Sequence, residues 1–197
     1  MAGTRKDGLK RRDEILDAAL VCFSSHGIFE TGIEEIRKAA GASPSSMYHL
    51  FEDLSGITLA LLLRTFERLF SHMTTRVKST HTAKAAVLAL VDSHLEWILA
   101  HPEEGRFMYQ AMSMELGAKV REPLQQRKAE LLIPLGAHLV PFIEEGSLPD
   151  WSPVMLDIVL LGVSHEACRR YLGGAALEPA WMRAHLPQMA WKSIVLI

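Results

Sequence analysis

The residues best placed to do chemistry form one short run, Ser43-Pro44-Ser45-Ser46-Met47-Tyr48-His49. Three small hydroxyls, a phenol and an imidazole within seven residues are binding groups. Ser43-Pro44 reads as an N-cap followed by a first-turn proline. The hydroxyls therefore fall where a helix start also presents unpaired backbone N–H groups, a combination suited to phosphate oxygens. Tyr48 and His49, one turn on, extend the reach to phosphate or base edges. Each residue also has an ordinary structural reading, since Ser-Pro is a common cap and a tyrosine on a short helix a common core filler.

Other chemistry is poorly represented. No GxSxG, Walker A or GxGxxG occurs, and Ser164-His165-Glu166 are consecutive on one helix and cannot converge. Nine histidines would suit a metal, but none stands at HxxxH spacing and the two cysteines are far apart without a CxxC. No enzyme activity, metal or cofactor is expected. Cys22 and Cys168 sit in apolar helical patterns and read as buried free thiols.

The elements that position the run are helical throughout. Leu16, Ala19, Leu20 and Phe23 give a first helix over about 10–26, stopped by Gly27. Thr31 with Glu34, or Gly32 with Glu35, opens a second short helix that Gly41 breaks. The third covers about 44–50. Two short helices joined by Ala39-Ala40-Gly41-Ala42-Ser43 make a helix-turn-helix, in which glycine supplies the positive φ of a tight reversal. A long apolar helix follows over about 54–78, then one to about Ala100, one from Pro102 to Gly117, and one over about 121–145 that Pro134 and Pro141 should kink or divide. Ser152-Pro153 starts an eighth helix, apolar on more than one face, and the ninth begins near Pro179, kinks at Pro187 and reaches the C-terminus. Such an eighth helix needs cover on several sides, which packing on a second copy or a central place in a monomeric bundle would supply.

Charge does not announce a nucleic-acid binder. The net charge is −2. Residues 1–12 carry five basic side chains against Asp7, whereas 13–54 carry only Arg37 and Lys38 against eight acids. Hydrophobic residues make up 49% without a run of about eighteen uncharged apolar residues, so no membrane span is expected. The basic start lacks the apolar centre of a secretory leader, and a cytoplasmic location is expected.

The ordered combination Arg12-Asp-Glu-Ile15-Leu16-Asp-Ala18-Ala19, Phe23-Ser-Ser-His-Gly27-Ile28, Thr31-Gly-Ile33-Glu-Glu-Ile36, Ala40-Gly41-Ala42-Ser43 and Met47-Tyr48-His49-Leu50-Phe51 resembles the DNA-binding domain of the TetR family of bacterial transcriptional regulators. The resemblance covers about residues 10–60. It implies an all-α chain, with a three-helix helix-turn-helix domain over 1–53 and a larger helical ligand-binding and dimerisation domain over 54–197. It implies a ligand-responsive repressor that meets a palindromic double-stranded DNA operator as a homodimer through helices 8 and 9. It carries DNA contacts onto Ser43, Pro44, Ser45, Ser46, Tyr48 and His49, with Thr31 near the second helix and Arg11 or Arg12 in the leading arm. Three positions depart from the family pattern. Leu54 replaces a phosphate-binding lysine, Gly32 replaces a polar cap, and Arg37 replaces a small residue and must either snorkel outward or reach DNA. With the acidic charge of 13–54, these departures leave one alternative, a helical interaction protein whose scaffold has lost strong DNA binding.

For the small-molecule effector, a mostly apolar or aromatic compound, the expected pocket lies on helices 5, 6 and 8 around Trp97, Phe107 and Met112, with His94 or His165 as the orienting hydrogen bond. Met108, Tyr109 and Met114 lie in the same helical stretches, and His138 is a further candidate on the seventh helix.

Overall fold

A computed structural model describes residues 2–114 and 117–195, with no account of the side chains of 2–6. The described residues form nine helices and no strand: α1 (Ala2–His26), α2 (Ile33–Ala39), α3 (Pro44–Leu50), α4 (Leu54–Lys78), α5 (Ala83–Ala100), α6 (Pro102–Ser113), α7 (Ala118–Glu144), α8 (Pro153–Leu172) and α9 (Pro179–Val195). The all-α expectation and the helix order hold. Whether α9 reaches the C-terminus lies outside the described residues.

Local signals place most of the boundaries. Gly27 (φ 85°) ends α1, its N–H bonded to the Phe23 carbonyl at 2.9 Å. Ser43, Thr82 and Ser152 each cap a helix by accepting a backbone N–H three residues on. Two expectations fail. α1 begins at Ala2, well ahead of residue 10, because residues 5–12 are mostly good helix formers and a lone Gly8 costs only about 1 kcal/mol. α7 is not divided but runs as one helix through Pro134 and Pro141. Each proline deletes a bond to the carbonyl four residues back, but its fixed φ is itself helical.

The contacts divide the chain into two compact units, Met1–Thr65 with Arg106–Gln126, and Phe66–Gly105 with Arg127–Ile197. This division falls inside α4 and differs from a boundary at 53/54. In the first unit α1 packs on α2, and Ile15, Leu16, Phe23, Ile36, Met47, Ile57 and Leu61 are buried. Phe107 of α6 joins that core, its ring stacked on Phe23 at 5.4 Å. Phe107→Ala should therefore destabilise the protein by about 3–5 kcal/mol, as for other buried phenylalanines. The exposed neighbour Met112→Ala should stay within about 0.5 kcal/mol. Urea unfolding of both variants checks this, and equal midpoints would remove Phe107 from the core.

In the second unit α5 packs on α8 and α9, and α8 on α9. Arg183 of α9 donates to both carboxylate oxygens of Asp92 on α5 at 2.7 and 2.8 Å. Cys168 is buried here and Cys22 in the first unit, and neither is in a disulfide. Among the described residues no helix is long and apolar enough to cross a membrane. None of their His, Cys, Asp and Glu side chains forms a group of three or more that could hold a metal.

Candidate nucleic-acid interface and apolar cavity

α2 and α3 are joined by a Schellman turn. The Ala42 N–H bonds to the Arg37 carbonyl at 2.9 Å and the Gly41 N–H to the Lys38 carbonyl at 3.0 Å, with Gly41 at φ 57°. Ala42 is buried and anchors the turn. α3 starts at once, since the Ser43 hydroxyl accepts the Ser46 N–H at 3.1 Å and lies 3.1 Å from the Ser45 hydroxyl. Met47 is the inward anchor of α3, fully buried. Periodicity then dictates the outer face, and Ser43, Pro44, Ser45, Tyr48 and His49 are all exposed, with Ser46 half-buried. Hydroxyls, phenol and imidazole thus share one solvent-facing surface on a helix held at both ends. The Tyr48 hydroxyl donates to Glu34 of α2 at 3.3 Å.

The remaining residues expected at DNA are placed differently. Thr31 is only 2% exposed and its hydroxyl donates to the Gly27 carbonyl at 2.8 Å, closing the α1–α2 turn. Its methyl and hydroxyl are both used inside, so Thr31 is corrected from a surface contact to a turn residue, and Gly32 is the N-cap of α2. Arg37 does not extend into solvent. Its Nε donates to Glu34 at 2.8 Å and its Nη1 to the Ala42 carbonyl at 2.9 Å. Arg11 likewise donates to Glu14 at 2.7 Å and to the Gly41 carbonyl at 2.6 Å. Arg12 lies over the Phe51 ring, 5.4 Å from its centroid. The Arg37 guanidinium, with Tyr48 and Lys38 beside it, holds the Glu34 carboxyl below its ordinary value. Lys38, absent from the expected contacts, is exposed on the last turn of α2. Its position on the helix before the glycine turn could have flagged it.

The residues expected to bind a small molecule are divided between the two units. Phe107 is core of the first unit, and Met112, in the same unit, is 43% exposed. His94, Trp97 and His165 belong to the second. Trp97 is buried, its ring stacked on His101 at 4.6 Å, with Arg68 at 6.0 Å from the ring centroid. Only His94 and His165 meet, rings edge to face at 4.5 Å. Burial, with His165 alongside, holds the His94 imidazole well below its ordinary value, so it is neutral at pH 7.

The second unit holds a partly open apolar cavity of about 310 Å³ between α4, α5, α7 and α8, reaching the α7–α8 loop at Trp151. Phe70, Met73, Leu139 and Leu160 are among its walls, and Asp157 is the one charged side chain that lines it. None of the five residues expected from sequence lines this cavity. Its walls come from four helices. The available signals were the apolar residues on several faces of α7 and α8, with Trp151 in the loop between them.

Residues 15–61 match the sequence profile of bacterial regulatory proteins, tetR family. The chain is 32% identical over 88 residues to the transcriptional repressor KstR2 of Rhodococcus jostii RHA1, covering 45% of this chain and 43% of that protein. It is 39% identical over 54 residues to the regulator AcrR of Shigella flexneri, covering 27% and 25%. The chain thus spans less than half the length of these curated relatives. Solved structures agree over nearly the whole chain in fold. A TetR family regulator from Marinobacter aquaeolei VT8 superposes with a TM-score of 0.74 at 19% identity, covering 97% of each chain. FadR of Bacillus subtilis, in complex with stearoyl-CoA, gives 0.78 at 15% identity, covering 92% of this chain and 98% of that one.

Proposed function

We propose that the chain, whose residues 15–61 match the bacterial regulatory proteins of the tetR family, is a homodimeric transcriptional repressor released from its operator by a small apolar molecule. The observation that carries the DNA-binding half is the outer face of α3, where Ser43, Pro44, Ser45, Tyr48 and His49 stand together in solvent on a helix anchored by Met47. The exposed hydroxyls of the first turn fit phosphate oxygens, while Tyr48 and His49 fit the groove. Two such heads at about 34–36 Å would engage successive major grooves of a palindromic site. Recovery of a shared sequence from a randomised duplex pool by the wild-type protein tests this reading. Failure to enrich any sequence at low salt would refute it.

The dimer is assigned to α8 and α9. Val154, Met155, Ile158 and Val163 on α8, and Trp181 and Met189 on α9, are exposed apolar side chains in the single chain. Such a surface suits a self-complementary two-fold contact.

The effector site is assigned to the cavity walled by Phe70, Met73, Leu139 and Leu160 in place of the pocket around Trp97, Phe107 and Met112. Its size and apolar lining fit a single hydrocarbon or aromatic body. FadR, named above with stearoyl-CoA, supports an apolar acyl chain as the first probe. α4 runs unbroken from Leu54 to Lys78, contributing residues to both units, so a ligand against Phe70 and Met73 acts on the helix that begins after α3. It can shift DNA binding only by its differential affinity for the two states. Leu139→Trp, which fills the cavity, should weaken stearoyl-CoA binding by about tenfold or more, since a displaced apolar group this size is worth over 1.4 kcal/mol. Operator affinity in the absence of ligand should not change. Unaltered ligand binding in Leu139→Trp together with loss in Trp97→Ala would return the site to the helices around Trp97.

A further inference from the structure

Arg11 and Arg37 have the charge and position of phosphate contacts, yet both are turned onto the protein's own backbone. The carbonyls of Gly41 and Ala42 follow the last bonded residue of α2 and precede the Ser43 cap, so no helix supplies them a donor. Arg11 donates to the first at 2.6 Å and Arg37 to the second at 2.9 Å. Each guanidinium is oriented by a carboxylate three residues away on its own helix, Glu14 for Arg11 at 2.7 Å and Glu34 for Arg37 at 2.8 Å. Arg37 uses two edges of one planar group, so Glu34 sets the plane in which its Nη1 meets the carbonyl. The same Glu34 accepts the Tyr48 hydroxyl at 3.3 Å. Tyr48, Glu34, Arg37 and the Ala42 carbonyl are thus a single chain of contacts from the outer face of α3 back to the turn.

We propose that Arg37 and Arg11 are positioning residues of the reading head, two guanidinium clamps that hold the Gly41-Ala42 carbonyls and so set the angle at which α3 leaves the turn. Neither neutralises a phosphate. This rests on the DNA-binding function proposed above. The fork is essential to it, because a lysine ammonium is a point charge that does not reproduce the planar two-edge geometry. Charge alone is therefore not sufficient at either position, whereas at a phosphate contact a lysine serves well.

The test compares wild type with Arg37→Lys and Arg37→Met, and repeats Arg11→Lys. Binding is measured across salt to the duplex that wild type recovers from a randomised pool and to random-sequence duplex. Melting temperature is followed in parallel. The clamp predicts that Lys and Met variants lose operator affinity alike, by about tenfold, the worth of one charge-assisted hydrogen bond. It predicts that the slope of log affinity against log salt is unchanged and that random duplex is bound as before. Full rescue by lysine, with the methionine variant shallower by about 0.9 per head, would make Arg37 a phosphate contact and overturn the clamp. A lowered melting temperature with wild-type operator affinity would reduce both arginines to stability and overturn it too. If wild type recovers no sequence at all, the DNA-binding function falls first and the clamp with it.

Discussion

Ser45→Glu should abolish tight operator binding while leaving the fold at least as stable as wild type. Ser45 is the second residue of α3 and exposed, with its hydroxyl 3.1 Å from that of Ser43. A carboxylate there lies in the first helical turn, where it favours the positive end of the helix dipole by about 0.3–1 kcal/mol. Toward DNA the same carboxylate faces phosphates across a drying interface, where like charges cost several kcal/mol. The two effects have opposite signs, which separates function from folding in one variant. Operator affinity should fall by about 100-fold or more, as two heads per dimer are affected. Fluorescence anisotropy with a labelled operator duplex, read beside thermal melting, measures both. An affinity within twofold of wild type would take the first turn of α3 out of the interface.

Ile158→Glu should convert the protein to a monomer. Ile158 is 63% exposed in the single chain, so the substitution has little to disturb in the fold itself. In a two-fold contact built on α8 it would bury an unpaired carboxylate, and the symmetric copy would bring a second one near it. The cost of about 3–5 kcal/mol for an uncompensated buried charge corresponds to more than a 100-fold weaker dimer. Sedimentation equilibrium at micromolar concentration should show a wild-type dimer and a variant monomer. Operator affinity should fall with it, because a monomer engages one half-site only. A dimeric variant would move the interface off this face of α8.

Local chemistry carried most of what could be read from the sequence alone. Gly27 and Gly41 each sit at positive φ, and Ser43-Pro44 and Ser152-Pro153 each open a helix with the serine as cap. Such signals span four or five residues and need no tertiary knowledge. The outer face of α3 was legible for the same reason, since one buried residue, Met47, determines which neighbours face out. What escaped depends on contacts between distant segments. Arg11 meets Gly41 across thirty residues, and nothing in the local pattern distinguishes an arginine aimed at a carbonyl from one aimed at a phosphate. Phe107 looks like a pocket aromatic until Phe23 is found stacked on it. The cavity is invisible to periodicity because an apolar side chain facing a void and one facing a neighbour follow the same helical spacing. Its walls are drawn from α4, α5, α7 and α8, whereas the expected pocket used α6, whose aromatic is already committed to the first unit.

The proposed function requires that two copies of this chain read a symmetric DNA site with the outer faces of their α3 helices. Its most direct test is a titration of wild-type protein onto the duplex it selects from a randomised pool, read by sedimentation for stoichiometry and by nuclease protection for position. The predicted result is two chains per duplex, with protection over two inverted half-sites whose centres are about one helical turn, 10–10.5 base pairs, or a multiple of it apart. A chain that selects no sequence, or binds every duplex alike without fixed stoichiometry, would contradict the account and favour an interaction protein built on a helix-turn-helix scaffold.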